Sequence, residues 1–315
     1  MIRIRNKFLR EFPPDRHYLV GVSGGRDSIA LVDLLIAAGY KNLTVCHLNH
    51  QLRTRASAAD ARFVEKLTTR CDLRLATGVA NVRALAQKEK LSIETAGRQA
   101  RYKFFADVAR RSGCRTIFLG HHADDAVETF LINLFRGAGT AGLSAMREVS
   151  QRRVNDIDLT VVRPLIAIWR DEIDQHVRAR RLKFREDKSN RDLTHLRNRI
   201  RHRVIPYLEK TLGRNIRQSI WRAAMIAAEE EAWIENQVPN SMGAELAVTT
   251  LRELPAALQR RQILKWLRHR KISNVGFDVV ENVRALLDHD SRVAKINLPH
   301  DRHVRRRAKK IFITD

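Results

Sequence analysis

The chain has 315 residues, 44% of them hydrophobic, and its 59 Lys and Arg outnumber 35 Asp and Glu for a formal net charge of +24. That apolar content excludes disorder as a description of the whole, and the charge makes a polyanion, above all nucleic acid, the expected partner. Cys46, Cys71 and Cys114 are odd in number and form no CxxC pair, which excludes a disulfide framework, a zinc ribbon and a cysteine-ligated iron–sulfur cluster. No signal peptide and no apolar run of about 18 residues occurs, so a cytoplasmic protein is expected.

In chain order, 18–22 predicts a buried strand and 29–38 a helix closed by Gly39. A second strand follows at 43–48, a helix at 58–70, a weaker strand at 73–76, a long helix at 92–111 and a fourth strand at 116–119. Strands alternating with helices imply a doubly wound α/β fold, its mostly parallel sheet covered by helices on both faces. Ligands of such sheets bind at the carboxyl ends of the strands. Beyond these come a helix at 124–136, a glycine loop at 137–142, a strand at 159–162 and a helix at 170–181. The stretch 196–235 is basic and helical, and Pro206 is expected to break or kink it. A linker at 238–243 leads to helices near 255–271 and 277–288 and to strand-like pieces at 294–298 and 304–313. The expected organisation is an N-terminal domain over 1–195, a basic helical linker over 196–237 and a small α+β domain over 238–315.

Between the first strand and its helix stands Ser23-Gly24-Gly25-Arg26-Asp27-Ser28. Two glycines let the backbone turn sharply and approach a pyrophosphate closely. The helix start adds unpaired N–H groups and a partial positive charge, and Ser23 and Ser28 can donate hydroxyls. Asp27 cannot comfortably face bare phosphate and is the candidate ligand for Mg²⁺, a cation suited to hard oxygens. No GK[ST] follows, so this is not a Walker A loop. The glycines at 137, 139 and 142 follow a helix and not a strand, which argues against a dinucleotide site. The SGGxDS segment resembles that of the PP-loop, or N-type ATP pyrophosphatase, enzymes. The resemblance implies ATP as cofactor, cleaved to AMP and pyrophosphate while an oxygen of the substrate is adenylated.

Further segments sharpen the resemblance: His47-Leu48-Asn49-His50-Gln51-Leu52-Arg53, ETAGRQARY at 94–102, HHADDAVET at 121–129, Arg163-Pro164-Leu165, Glu186-Asp187-Lys188-Ser189-Asn190 and Asn198-Arg199-Ile200-Arg201. In this order, from about Tyr18 to Pro206, they resemble the tRNA(Ile)-lysidine synthetases, in a short form without the extra C-terminal domain of larger members. His47 and Asn49 leave the second strand beside the cradle, where Asn49 and the backbone could contact adenine or ribose. Asp125 and Glu128, three apart on a helix, are neighbours suited to bind an ammonium and take its proton. His121 and His122 lack an HExxH pattern or a Cys partner, so zinc is not expected. The resemblance places Arg101, Asp125, Glu128 and Arg201 among catalytic positions and implies L-lysine and a CAU-anticodon isoleucine tRNA as substrates. Alternating Arg197, Arg199, Arg201 and Arg203, with the basic run 302–310, fit tRNA backbone contact. The segment 248–315 is expected to dock the acceptor arm or to serve in a homodimer. Competing readings are a tRNA thiolase using the same adenylation chemistry and a non-catalytic RNA-binding protein of this fold.

Overall fold

A computed structural model describes residues 2–52, 54–144, 146–186, 192–239, 243–273, 275–288, 295–299 and 301–314. Arg53, 187–190 of the EDKSN segment, 240–242 of the linker and Ala294 lie outside the described residues. The chain divides into two compact units, Met1–Ala228 and Glu229–Asp315.

The first unit runs α1 (Asn6–Glu11), β1 (Tyr18–Gly21), α2 (Arg26–Ala37), β2 (Leu43–Asn49), α3 (Thr54–Arg70), β3 (Arg74–Val79), α4 (Val82–Glu89), α5 (Ile93–Ser112) and β4 (Thr116–Leu119). It continues through α6 (Ala123–Phe135), α7 (Thr140–Leu143), β5 (Val149–Val154), β6 (Ile157–Val162), α8 (Arg170–Ala179), α9 (Leu196–Arg199), a π turn at Ile200–Val204, α10 (Ile205–Leu212) and the start of α11 (Arg217–Gln237). Its sheet has the order β3-β2-β1-β4-β6-β5, parallel except for the edge strand β5. Chain order runs outward to one side of β1 and then crosses to β4 on the other, so the topological switch lies between β1 and β4. The crevice at their carboxyl ends is therefore where a ligand belongs.

Both faces of this sheet are buried, which is why its strands read as continuous apolar runs. Tyr18, Val20, Val45, Phe118 and Val162 pack on one face with α2 and with Ile173 and Val177 of α8. The alternate residues Leu19, Cys46, Ile117, Leu119 and Val161 pack on the other with Tyr102, Phe105 and Val108 of α5. The doubly wound architecture expected from the strand–helix alternation is the one observed.

Local departures have physical causes. Helix α2 begins at Arg26, so half of the cradle is already helical. The unexpected α4 is short and held by Asn81, whose side chain accepts from Ala84 N–H. Pro206 does not break its segment: the π turn just ahead of it re-registers the ladder where the proline N–H is missing, and α10 continues.

The second unit takes up the end of α11 and adds β7 (Leu246–Ala247), α12 (Val248–Glu253), α13 (Ala256–His269), α14 (Phe277–Ala285), β8 (Lys295–Asn297), β9 (His303–Arg307) and β10 (Lys310–Thr314). The antiparallel sheet β7-β10-β9-β8 buries Val304 and Ile311 against Trp266, Leu267 and Val283. The piece expected as one strand over 304–313 is a hairpin. Its two turn residues, Ala308 and Lys309, have φ of 49° and 63°, a left-handed pair that normally recruits Asn or Gly.

Candidate active site

At the switch point the cradle is wound tightly. Gly24 is buried with φ of 87°, a conformation that side chains resist. Gly25 N–H donates to Ser23 Oγ (3.2 Å), and Ser28 Oγ donates to the Gly25 carbonyl (2.8 Å). The strand on the far side comes equally close. A Cβ on Gly120 would lie 2.9 Å from the Asp27 carbonyl oxygen and 3.2 Å from Ser28 N. Arg26 donates to Asp174 (2.6 Å), and Arg170 places one nitrogen 2.9 Å from both carboxylate oxygens of Asp27. Arg170 also lies 3.3 Å from Asp174, so one network orients Arg26, Asp27 and Arg170 around the cradle mouth.

His47, expected beside the nucleotide, is 4% exposed, and its Nδ1 lies 2.9 Å from the Val22 carbonyl just before the cradle. It braces the strand end from below. Asn49 accepts from Gln51 N–H (2.9 Å), closing the turn that leaves β2. Arg101 stands exposed on α5, and its charge acts on His50 and His121 at the ends of β2 and β4.

The helix after β4 carries the acidic pair. Asp125 accepts from the backbone of His122, the residue that caps α6. Glu128 is 1% exposed, a position that an ionised carboxylate tolerates only with partners. Those partners are arginines: Arg197 donates to Oε2 (2.7 Å) and Arg201 to Oε1 (2.5 Å). Arg197 also donates to Asp125 Oδ1 (3.2 Å). Burial opposes the charge on Asp125, but His122 and Arg197 outweigh it and hold its carboxyl well below the usual range. His122, 1% exposed, lies within 3.9 Å of carboxylate oxygens of Asp27, Asp124 and Asp125. Burial works against the charged ring, yet Asp125, Asp124 and Asp27 raise its pKa above the ordinary histidine value. The imidazole therefore stands among carboxylates that favour its charged form.

These groups border one cleft of about 330 Å³, whose lining includes Arg26, His122, Glu128, Arg170 and Arg201. Of the expected site residues it brings Arg26, Glu128 and Arg201 together directly, with Asp27 and Asp125 linked to the lining through Arg170 and Arg201. Ser23, Gly24, Gly25, Ser28, His47, Asn49 and Arg101 do not line it. Sequence reasoning misses Arg170 and Arg217, the latter 3.4 Å from Asp124, and treats Arg197 only as an RNA contact. The sole hint for Arg170 is its place at the start of a helix after the RPL segment.

Residues 2–208 match the family described as PP-loop domain, and 246–312 match the TilS substrate binding domain. The likeness therefore continues past Pro206. The tRNA(Ile)-lysidine synthase of Geobacter sulfurreducens is 41% identical over 304 residues, 92% of this chain and 63% of that protein. That of Chlorobaculum tepidum is 32% identical over 87% of this chain and 83% of its own length. The chain thus spans less than two thirds of the first relative and most of the second. Among solved structures, the U34-tRNA thiolase NcsA from Methanococcus maripaludis, with its [4Fe-4S] cluster, shares the fold at a TM-score of 0.55 and 18% identity, covering 68% of this chain and 72% of that one. With a PP-loop match over most of its length and relatives of one name along nearly all of it, the chain belongs to the tRNA(Ile)-lysidine synthase family.

Proposed function

We propose that this chain uses ATP to activate the wobble cytidine of a CAU-anticodon isoleucine tRNA and joins L-lysine to it, in the cytoplasm. The C2 oxygen of the base attacks the α-phosphorus and pyrophosphate leaves. The lysine ε-nitrogen then attacks C2, loses a proton, and AMP departs with the former C2 oxygen. The observation that carries this reading is the single cleft in which Arg26, from the phosphate cradle, and the arginine-bound carboxylate Glu128 both take part.

The chain's own groups divide the work. Backbone N–H groups at Gly24 to Ser28 and the Ser23 and Ser28 hydroxyls receive the phosphates. Arg26 and Arg170, held by Asp174, face the charge that develops on the leaving pyrophosphate. Asp125 and Glu128 attract the lysine ammonium, and Arg201 is released to phosphate or to the adenylated base. A Mg²⁺ ion fits the donors present. Asp27 offers a carboxylate that is 30% exposed at the cradle mouth, with Arg170 on one edge. Among the described residues no group of three or more His, Cys, Asp or Glu could hold a metal, so Asp27 would share the ion with phosphate oxygens and water. Bound there, the ion supplies charge neutralisation on the phosphates.

A thiolase reading is not favoured. Cys46 and Cys114 are buried in the sheet core, and burial pushes the Cys46 thiol up to about 12, far from a reactive thiolate. The decisive experiment is ATP-dependent incorporation of labelled lysine into a CAU isoleucine tRNA, with pyrophosphate release followed alongside. Folded protein that binds the tRNA yet releases no pyrophosphate with ATP and lysine would leave only the RNA-binding reading standing.

A further inference from the structure

The arginine of the RPL segment has no part in the chemistry above, and it stands where a charge is costly. Arg163 extends β6 by donating its backbone N–H to the Glu148 carbonyl (2.8 Å), and it is 5% exposed. Its Nη1 donates to the Arg147 carbonyl (2.8 Å) and to Ser150 Oγ (3.0 Å), which anchors the guanidinium. Its Nε is buried and has no hydrogen-bond partner. A buried guanidinium normally stands against a carboxylate, as Arg197 and Arg201 do. Among the described residues Arg163 makes no ion pair.

Its neighbours bring more cations and no acid. Leu159 and Val161 pack with Tyr102 of α5, so their β5 partners Arg152 and Ser150, and Arg163 two residues on, share that side of the sheet. Arg152 lies over the Tyr102 ring at 4.1 Å, and Arg98, one helical turn earlier, lies 5.7 Å from the same ring. Neither makes an ion pair among the described residues. Burial works against the charge of Arg163; Tyr102 favours it while Arg98 and Arg152 oppose it, and its pKa falls below the ordinary arginine value. Three cations around a buried donor suit an anion, and the planar fork of a guanidinium suits a carboxylate.

This cluster adjoins the acids of α6. His121, at the end of β4, feels the charges of Asp125, Arg163, Arg197 and Arg101 together. We propose that Arg163, assisted by Arg98 and Arg152, binds the α-carboxylate of the free amino acid whose ε-ammonium is drawn to Asp125 and Glu128. The four-carbon stem of lysine holds its two charged ends apart, so one molecule engages both sets of groups past the His121 ring. A diamine or a peptide-bound lysine lacks the second handle, and the site selects against both. The assignment rests on the lysine reading above for its ligand, and on burial and pairing for its place.

The test compares L-lysine with L-lysinamide, which lacks the anionic carboxylate, on the full chain, on Arg163→Gln and on Arg98→Gln combined with Arg152→Gln. Initial rates of incorporation into a CAU isoleucine tRNA give each KM, equilibrium dialysis of the labelled compounds gives binding, and melting temperatures report folding. The unaltered chain should show a KM for lysinamide about tenfold or more above that for lysine. Arg163→Gln should raise the KM for lysine about tenfold and move that for lysinamide less than about twofold, so the preference collapses. The pair of exposed changes should shrink the preference about threefold. A preference that survives in folded Arg163→Gln overturns the site, as does an equal rise of both KM values. Should Arg163→Gln not fold, an undiminished preference in the exposed pair overturns it instead. If the unaltered chain incorporates lysine while neither change touches its preference, the carboxylate site alone falls. If it incorporates neither compound yet binds lysine over lysinamide until Arg163 is changed, the ligation reading falls and the site stands.

Discussion

At the scale of single residues, the site is governed by buried charge. Glu128 is almost wholly buried in the cleft wall and satisfied by Arg197 and Arg201, so removing one cation strands a carboxylate in a low-dielectric pocket. Arg197→Ala should cost about 3 kcal/mol of stability, read from urea unfolding. A loss under about 1 kcal/mol, the range of an exposed pair, would show that water or another cation reaches Glu128. The histidines behind the cleft make a second prediction. Burial, with Arg101 and His47 nearby, pushes His50 down to about 4; burial pushes His121 down to about 3. Each has a buried Nδ1 without a hydrogen-bond partner, as a neutral ring can tolerate. Both titrate near 6.5 when unfolded, so between 6.5 and about 4 the unfolded chain binds more protons than the folded one. The contribution of the neutral rings to stability is therefore complete above pH 6.5 and lost as pH falls toward 4. His50→Gln should flatten that acid limb by on the order of 2 kcal/mol, allowing for partial exposure. An unchanged limb would mean that the ring is already hydrated.

At the scale of elements, the cradle works because β1, α2 and β4 converge without side chains between them. Gly120→Ala would set a methyl group 2.9 Å from the Asp27 carbonyl oxygen, and neither backbone can yield easily. The first turn of α2 should shift, raising the Kd for ATP about tenfold or more, equivalent to about 1.4 kcal/mol; isothermal titration checks it. ATP affinity within a factor of two of the unaltered chain would show that the turn absorbs the methyl. The same elements show what is legible in sequence. The cradle and the HHADD helix start are read from strand, turn and helix signals within ten residues of each other. Arg170 and Arg197 escape such reading because their partners lie 143 and 69 positions away, and nothing local in the sequence marks that closure. The β9–β10 hairpin escapes for another reason. Its turn uses Ala308 and Lys309, so the residues that normally announce a reversal are absent.

At the scale of the molecule, cations behind the charge of +24 stand in two different settings. In the cleft arginines hold carboxylates, while the outer face of the second sheet leaves Arg305 and Arg307 without partners among the described residues. In the proposed reaction the first kind shapes a pocket for one base and one amine. The second can only sense phosphate, which every tRNA displays alike. Affinity and selectivity should therefore respond differently to salt. Between about 50 and 200 mM, affinity for isoleucine and methionine tRNAs with the same CAU anticodon should fall in parallel, by about 10³-fold if six or more phosphates are contacted. The ratio of their lysine incorporation rates at saturating RNA should stay constant, because it reflects contacts made within the bound complex. Filter binding and initial rates over the same salt series measure both quantities. A ratio that collapses toward one with rising salt would place discrimination in the phosphate contacts themselves, and the division of labour between the two sets of arginines would fail.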